Sequence, residues 1–197
     1  MINNIPKVQL LKVQPQKFDY LSEDEANKLL ASSSGVIRDM IFTVLKTGLR
    51  LGELLAVEWG DLNLSLKQLT IRQSVSRGIV GSTKTNKIRY IPLLDEMCML
   101  LTARKKENKY IFAVSSHDKP ISSVTCRKWL HKACQKAMLR KIGWHNLRHT
   151  FASHLAENSV SILLIKELLG HSDVKTTMRY SHLSPLATRE AVKTLSS

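Results

Sequence analysis

The strongest constraint on the fold is an apolar stripe between residues 126 and 138. Its members recur at i, i+3, i+4, i+7, i+8, i+11 and i+12: Cys126, Trp129, Leu130, Ala133, Cys134, Ala137 and Met138. This spacing places all seven side chains on one face of a helix. The opposite face carries Lys128, His131, Lys132 and Gln135. The pattern therefore predicts an amphipathic helix over residues 122–139 that packs against a core.

Helical patterns also occupy much of the remaining chain. Ser22 and Glu25 form a capping-box sequence, which predicts the start of the first helix. Gly48 and Gly170 predict helix ends, because glycine readily adopts the left-handed conformation that follows many helices. Other helices are predicted over residues 36–45, from Arg50 or Leu51, and over residues 95–104, 146–157, 162–169 and 172–180.

Between residues 68 and 92 the chain becomes rich in β-forming residues. The runs LTIRQSV and IRYIPL are separated by SRGIVGSTKTNK, which predicts an antiparallel hairpin with a mobile tip. Residues 110–112 predict a third short strand. The predicted fold class is α+β and mainly α-helical, with helices around a small antiparallel three-stranded sheet or hairpin.

The charge of the chain indicates a polyanionic partner. It has 30 Lys and Arg against 16 Asp and Glu, a formal net charge of +14. Nucleic acid is the usual partner of such a chain, and the alternative is a basic surface that binds nothing specific. The sequence lacks a signal-peptide core and any apolar run of roughly 20 residues. The cysteines form no CxxC pair, so we expect reduced thiols, a cytoplasmic location and no membrane contact.

His145 and Arg148 form a candidate anion site. They lie three residues apart on a predicted helix, so their side chains point the same way. A guanidinium and an imidazole side by side can bind one anion. The alternative is a zinc site of His145 and His149, but the zinc-protease motif needs glutamate after the first histidine, where this chain has Asn146.

Cys126, His131 and Cys134 raise a second zinc interpretation. Both cysteines lie on the apolar stripe, whereas His131 lies on the opposite, basic face of the predicted helix. We therefore interpret the two cysteines as core thiols and expect no metal site here.

Two further segments carry basic residues whose function the pattern leaves open. Arg50 lies where a helix is predicted to begin, so a ligand oxygen could approach both its side chain and backbone N–H groups. Arg50 could equally form a surface ion pair with Glu53. On the hairpin tip, Lys84, Lys87 and Arg89 could bind phosphate, and Lys84 could donate a proton, or they could remain solvated.

The chain resembles the tyrosine recombinases, the phage integrase family. TGLRLGEL and HNLRHTFASHL resemble its two arginine boxes, TKTNKIRYIPL its hairpin lysine segment, and LLGHSDVKTTMRYSH the segment that ends in its nucleophile. The resemblance covers about residues 21–183. The residues that match its active-site set, in order, are Arg50, Lys84, His145, Arg148, His171 and Tyr180.

This resemblance implies DNA strand cleavage and rejoining, as in site-specific recombination or integration of a mobile element. Tyr180 would attack a phosphodiester and leave a 3′-phosphotyrosine and a free 5′-hydroxyl. The ester preserves the bond energy, so neither a metal nor a cofactor is implied. The alternatives are DNA relaxation of the type IB topoisomerase kind and a DNA-binding module with a relic site.

The resemblance also implies a role for each member of the set. Arg50 and Arg148 would bind the non-bridging oxygens of the phosphate, with His171 as a further donor. His145 would be the general base for the tyrosine, and Lys84 the acid for the departing 5′-oxygen.

Supporting residues and DNA contacts complete the predicted site. Glu53 would hold and orient part of the catalytic set, and His149 would lie next to the catalytic residues. Double-stranded DNA is the implied partner, and its predicted phosphate contacts are Lys87, Arg89, Arg104, Lys105, Lys106, Lys128 and Lys132.

The resemblance divides the chain into three parts. Residues 1–20 are a lead or linker, residues 21–183 the catalytic domain, and residues 184–197 an amphipathic tail helix. The tail resembles the segment that family members pass to a neighbouring protomer, and its apolar stripe could instead fold back onto its own chain. Family members usually carry an N-terminal helical domain that completes a clamp around DNA, whereas about twenty residues precede the predicted catalytic domain here, as expected of either a catalytic fragment or a naturally minimal recombinase. We therefore expect weak, salt-sensitive DNA binding, a monomer in solution and an oligomer on DNA.

Overall fold

The computed structural model describes residues 19–83, 87–104, 108–113 and 119–183. The predicted lead lies almost entirely outside these residues, and so does the predicted tail helix over residues 184–197. Lys84, Lys105 and Lys106 also lie outside the described residues, so the structure does not bear on their predicted roles.

The described residues form eight α-helices, which confirms the mainly helical prediction. Ser22 and Glu25 make both hydrogen bonds of the predicted capping box. Gly48 and Gly170 follow two of the helices with φ of 65° and 64°. The helices are α1 (Glu23–Ala31), α2 (Gly35–Thr47), α3 (Leu51–Ala56), α4 (Asp95–Thr102), α5 (Ser123–Lys136), α6 (Trp144–Glu157), α7 (Ile162–Leu169) and α8 (Lys175–Met178).

The helix predicted over residues 172–180 is shorter than expected. Only α8 is α-helical there, and a 3-10 turn, Ser181–Leu183, follows Tyr180. Asp173 accepts a hydrogen bond from the Lys175 amide, so its side chain competes with the helix for backbone groups just before α8.

Five short strands form two small antiparallel sheets. They are β1 (Leu62–Asn63), β2 (Gln68–Ile71), β3 (Gln73–Ser76), β4 (Ile79–Ser82) and β5 (Arg89–Pro92). The three-stranded sheet has the order β1-β2-β5, and β3 pairs with β4. The predicted pairing of LTIRQSV with IRYIPL is confirmed by β2 and β5, in which Thr70 lies opposite Tyr90.

Two details of the predicted sheet are wrong. The third strand is β1, whereas Tyr110 makes only an isolated bridge with Glu58. Part of the region predicted as a mobile tip, residues 76–87, forms strand β4, which pairs with β3: Val75 lies opposite Val80, and Gly78 supplies a positive φ at the turn between them.

Two apolar clusters hold these elements together. The larger one is built around α2, whose Met40, Ile41 and Val44 are fully buried. Cys126 and Cys134 lie in the same cluster, which confirms them as core thiols, and burial raises the pKa of Cys126 to about 11. None of the described helices is long and apolar enough to cross a membrane.

The smaller cluster is formed by α6, α7 and the segment around Tyr180. Its buried members are Ala152, Ala156, Ile165, Leu169 and Tyr180. Helix α6 contributes to both clusters, because its Leu147 packs into the larger one. One helix therefore connects the two apolar clusters and positions the residues between them.

Candidate active site

A cleft of about 330 Å³ lies along α6. It brings together five of the six predicted catalytic residues, and Lys84 is the one that falls outside the described chain. The cleft also has lining residues that sequence reasoning missed, of which Arg179 adds charge beside Tyr180. Its complete lining is Arg50, His145, Arg148, His149, His171, Ser172, Thr176, Arg179 and Tyr180.

Arg148 is fixed in the floor of the cleft. Only 2% of it is exposed, and its Nη1 and Nη2 donate to the carbonyls of Gly48, at 2.6 Å, and Leu169, at 2.7 Å. These carbonyls end α2 and α7, where helix dipoles place partial negative charge. Burial, and then the charge of Arg50, lower the pKa of Arg148 to about 9. Two helix ends thus hold one guanidinium rigidly.

Arg50 is oriented by the buried carboxylate of Glu53. Its backbone N–H donates to Glu53 Oε2 at 2.8 Å, and its Nη1 donates to Oε1 at 2.9 Å. Arg148 Nη1 lies 4.0 Å from Glu53 Oε2. The carboxylate therefore lies beneath both arginines of the predicted clamp and offsets part of their charge.

Arg89 is a third arginine on this carboxylate, which corrects its prediction as a DNA contact. Its Nη1 and Nη2 donate to Glu53 Oε1 and Oε2 at 3.0 and 2.7 Å. Burial alone would raise the pKa of Glu53, but Arg89, and then Arg50, hold it at about 2. The alternation of β5 carried this signal, since Arg89 lies on the same strand face as buried Ile91.

Tyr180 is buried against His149. The phenol is 1% exposed, and its Oη lies 2.5 Å from His149 Nδ1. Burial raises the pKa of Tyr180, against the opposing charges of Arg148 and Arg179. Burial, and then the charge of His145, lower the pKa of His149 to about 4, so this imidazole is neutral near pH 7.

His145, the predicted general base, lies next to His149 at the mouth of the cleft. Their ring centroids are 4.5 Å apart in an edge-to-face arrangement. His145 is exposed on α6, although part of its ring is covered. This partial burial lowers the pKa of His145, and the charges of Arg148 and Arg50 lower it further. In the described arrangement, His149 rather than His145 contacts the phenol.

His171 lies just after the left-handed Gly170. Its Nδ1 lies 2.9 Å from Thr177 Oγ1, so α8 orients the ring. Burial, and then the charge of Arg148, lower the pKa of His171 to about 4. In the tautomer whose Nδ1 accepts from the Thr177 hydroxyl, the N–H of the neutral ring is on Nε2 and is available as a donor.

Arg104 is bound to its own chain, which does not fit its prediction as a DNA contact. Its Nη1 is paired with Asp39, and its Nε donates to the Ile111 carbonyl at 3.1 Å. Its guanidinium also lies over the Phe112 ring, 5.4 Å from the centroid. These contacts connect the chain just after α4 to α2 and to residues 111–112.

Three predicted DNA contacts are exposed. Lys87 precedes β5 near the cleft, while Lys128 and Lys132 lie on the outer face of α5. Their positions remain compatible with phosphate contacts. Among the described residues, no group of three or more His, Cys, Asp or Glu side chains could hold a metal ion.

Comparison with known proteins identifies the family. The model of the phage integrase family matches residues 19–186. The tyrosine recombinase XerA of Pyrococcus furiosus is 34% identical over 178 residues, which cover 88% of this chain and 60% of that protein. A tyrosine recombinase XerD of Listeria monocytogenes is 32% identical over 181 residues, which cover 88% of this chain and 61% of that protein. The chain thus spans about 60% of the length of these curated relatives.

Solved structures are similar over most of the chain. The crystal structure of XerA recombinase matches with a TM-score of 0.68 and 32% identity, over 89% of this chain and 64% of that one. The catalytic domain of bacteriophage HP1 integrase matches with a TM-score of 0.69 and 27% identity, over 90% of this chain and 95% of that one. The resemblance found in the sequence is confirmed, and this chain belongs to the phage integrase family.

Proposed function

We propose that this chain cleaves and rejoins DNA strands through a 3′-phosphotyrosine at Tyr180, as in site-specific recombination or integration of a mobile element. One observation carries the proposal. The phenol of Tyr180 lines the same cleft as the guanidinium groups of Arg50 and Arg148. Membership of the phage integrase family supports this reaction. We further propose that the protein acts on DNA in the cytoplasm.

The arginines would stabilise the charge that develops on phosphorus. Attack by a phenolate gives a five-coordinate phosphorus with more negative charge on its non-bridging oxygens. Arg148 is held by two helix ends and Arg50 by Glu53, so their donors are oriented before the phosphate arrives. Losing one preorganised donor of this kind costs on the order of 10²–10³ in rate. His171, as a neutral donor, would add to this stabilisation.

The histidines beside Tyr180 would take its proton. His149 contacts the phenol of Tyr180 while that phenol is buried. We assign this contact to the site before DNA is bound. Tyr180 must move toward the phosphate, and His145 at the cleft mouth keeps the role of general base there. His145→Ala is then expected to slow cleavage by on the order of 10²–10⁴. A larger loss in His149→Ala than in His145→Ala would transfer the role to His149.

Lys84 keeps its proposed role as the acid that protonates the departing 5′-oxygen. Thiolate needs little protonation to leave, because a thiol is far more acidic than an alcohol. Lys84→Ala is therefore expected to slow cleavage of an ordinary phosphodiester far more than cleavage of a 5′-thio substrate. Equal slowing of both substrates would remove the lysine from this step.

Covalent capture tests the reaction without knowledge of the target. The protein is incubated in EDTA with a pool of nicked duplexes of random core sequence, and SDS-resistant adducts are collected and sequenced. We expect an adduct without metal, its loss in Tyr180→Phe, and retained DNA binding in that variant. Tyr90→Phe, which changes an exposed tyrosine on β5, is the matched control.

The outcomes separate the competing functions. An adduct that persists in Tyr180→Phe, or that forms only after Mg²⁺ is added, contradicts the proposal. Relaxation of supercoiled plasmids without a preferred sequence among the captured duplexes would indicate a topoisomerase. DNA binding with no adduct on any duplex would indicate a relic site.

We further propose that double-stranded DNA assembles the protein into oligomers, with the tail over residues 184–197 exchanged between protomers. An apolar groove of about 440 Å³ on α6, which Phe151 and Leu155 help to line, supports this proposal. Leu183, the last described residue, packs against the smaller apolar cluster, and so do Phe151 and Leu155. Sedimentation should show a monomer alone and an oligomer on a captured duplex, and a stable oligomer without DNA would contradict it.

A further inference from the structure

We propose that Arg89 is a positioning residue for strand cleavage, which holds Glu53 and, through it, the Arg50 guanidinium in the orientation that binds the phosphate. This inference rests on the proposed function and adds Arg89 to the residues that act at the site. Arg89 binds the carboxylate and is not among the residues that line the cleft with Arg50, Arg148 and Tyr180.

The hydrogen bonds of Glu53 show how the positioning works. Each carboxylate oxygen accepts two bonds: Oε1 from the Nη1 atoms of Arg50 and Arg89, and Oε2 from the Arg50 amide and Arg89 Nη2. A carboxylate has about four lone-pair positions, so this one is fully used. Without Arg89, half of these bonds disappear and the carboxylate can rotate away from Arg50.

The pairing geometry is specific to arginine. Both terminal nitrogens of Arg89 bind the two oxygens of Glu53 in the parallel, two-pronged arrangement that fixes a carboxylate plane. Lysine would supply the charge as a single point without this orientation. The side chain is only 11% exposed.

Arg89 also packs against the turn that presents His171. A Cβ atom on Gly170 would lie 3.0 Å from Arg89 Cδ and 3.1 Å from its Nε, so Arg89 packs tightly against the backbone of this glycine. Arg89 Nε is buried with no hydrogen-bond partner among the described residues. Arg89 thus fills the space between α3, which carries Glu53, and the end of α7.

The strand that carries Arg89 connects this carboxylate to the hairpin. Arg89 is the first residue of β5, and Thr83 Oγ1 donates to the Lys87 carbonyl at 3.3 Å across the intervening residues. Thr83 is itself buried. Thr83 and Lys87 are therefore held together next to the strand that carries Arg89.

Single-turnover cleavage of a captured duplex tests the proposal. We compare Arg89→Met and Arg89→Lys with Arg72→Met, which breaks another arginine pair on a buried carboxylate, Arg72 Nε to Asp61 Oδ1 at 2.7 Å. Arg89→Met is expected to slow cleavage by about 10- to 100-fold, as is typical of groups that orient a ligand-binding side chain. Arg89→Lys should recover only part of this, and Arg72→Met should cleave like the wild type.

A methylphosphonate at the cleaved position separates positioning from loss of folding. This uncharged group depends less on the arginine clamp, so the defect of Arg89→Met should shrink to a few-fold. The salt dependence of binding should stay unchanged, whereas losing a phosphate contact would reduce its slope by about 0.9. Equal defects on both substrates, or a reduced slope, would overturn the proposal.

A measurement without DNA keeps this inference separate from the proposed function. The Glu53 carboxyl, followed by ¹³C NMR during a pH titration, should titrate at markedly higher pH in Arg89→Met than in the wild type. An unchanged titration would overturn the inference whether or not DNA is cleaved. Absence of any wild-type adduct, with the titration shifted as expected, would count against the proposed function alone.

Discussion

Burial around the cleft changes the protonation of its inner histidines. His149 and His171 are enclosed by arginines and apolar side chains, and the pKa of each is lowered to about 4. An unfolded histidine has a pKa of about 6.5. Between these values the unfolded chain binds protons that the folded chain does not. The same burial that keeps these rings neutral therefore makes folding sensitive to acid.

The first prediction is a loss of stability between pH 6.5 and pH 4. Well above pH 6.5 both states are neutral at these histidines, so their contribution to stability is complete there, and the loss that they cause levels off below pH 4. A shift of this size corresponds to about 3 kcal/mol for each histidine. Because both rings are only half-buried, solvent screening should reduce the loss to about 2 kcal/mol each. Urea unfolding of the His149→Gln/His171→Gln variant should show a flatter pH dependence than the wild type.

The control for this prediction is His182→Gln, which changes an exposed histidine just past the site. It should leave the pH dependence as in the wild type. Parallel curves for the wild type and the double variant would contradict the prediction.

The types of the site residues were predictable from the sequence, but their contacts were not. The spacing of His145 and Arg148 on a helix showed that both could face one anion. The 2.5 Å contact of His149 with Tyr180 depends on how α6 meets the segment after α8. Arg89 shows the same limit, because a basic residue near a hairpin tip has no visible partner until Glu53 is placed by folding.

Helices α2 and α6 pack closely because Gly48 has no side chain. An added Cβ would lie 2.4 Å from Phe151 Cδ1 and 2.9 Å from Leu169 Cδ2. The carbonyl of the same glycine accepts a bond from Arg148. This close approach of two elements therefore sets the position of the buried guanidinium.

The second prediction compares Gly48→Ala with Gly78→Ala. Both glycines have a positive φ, but nothing lies within 4 Å of a Cβ at Gly78. Gly78→Ala should cost about 1 kcal/mol of unfolding free energy for its backbone conformation alone. Gly48→Ala should cost 1–3 kcal/mol more, because the new methyl overpacks the contact. Equal losses by urea unfolding would show that Phe151 yields freely.

At the level of elements, the long periodic helices were predicted best. The α5 pattern was long enough to give its type and most of its buried face, but the helix ends at Lys136, and Met138, which was predicted on that face, is 93% exposed. The short strands were harder to assign, since a two-residue strand such as β1 exists only through its pairing with β2. The YIF run at residues 110–112 has strand composition, yet it is buried without a ladder partner beyond the single bridge at Tyr110.

The third prediction concerns the basic face of α5. If Lys128 and Lys132 each contact a phosphate, the Lys128→Ala/Lys132→Ala variant should reduce the slope of log K against log salt by about 1.8. Arg104→Met is the matched control, because Arg104 is paired with Asp39. It should lower stability and leave the slope unchanged. A slope that responds only to Arg104→Met would reverse these assignments.

The whole molecule combines two apolar clusters of unequal size. The larger cluster surrounds α2 and contains Arg148's neighbour Leu147, whereas the smaller one contains Tyr180. Regions with fewer buried apolar contacts open at lower free energy. We therefore expect the smaller cluster, which contains the proposed nucleophile, to open at lower free energy than the larger one.

The fourth prediction is that α7 opens more readily than α2. Native-state hydrogen exchange should give lower opening free energies for the amides of α7, with Ile165 as a representative, than for those around Ile41 in α2. Equal protection of both helices would mean that the clusters unfold as one unit.

Burial of Tyr180 also determines which phenols a solvent-borne reagent can modify. Tyr90 is 60% exposed, whereas Tyr180 is 1% exposed. Nitrating or iodinating reagents will therefore label Tyr90 and spare Tyr180 in the resting protein. A gain of label at Tyr180 would therefore report directly that its ring has become exposed to solvent.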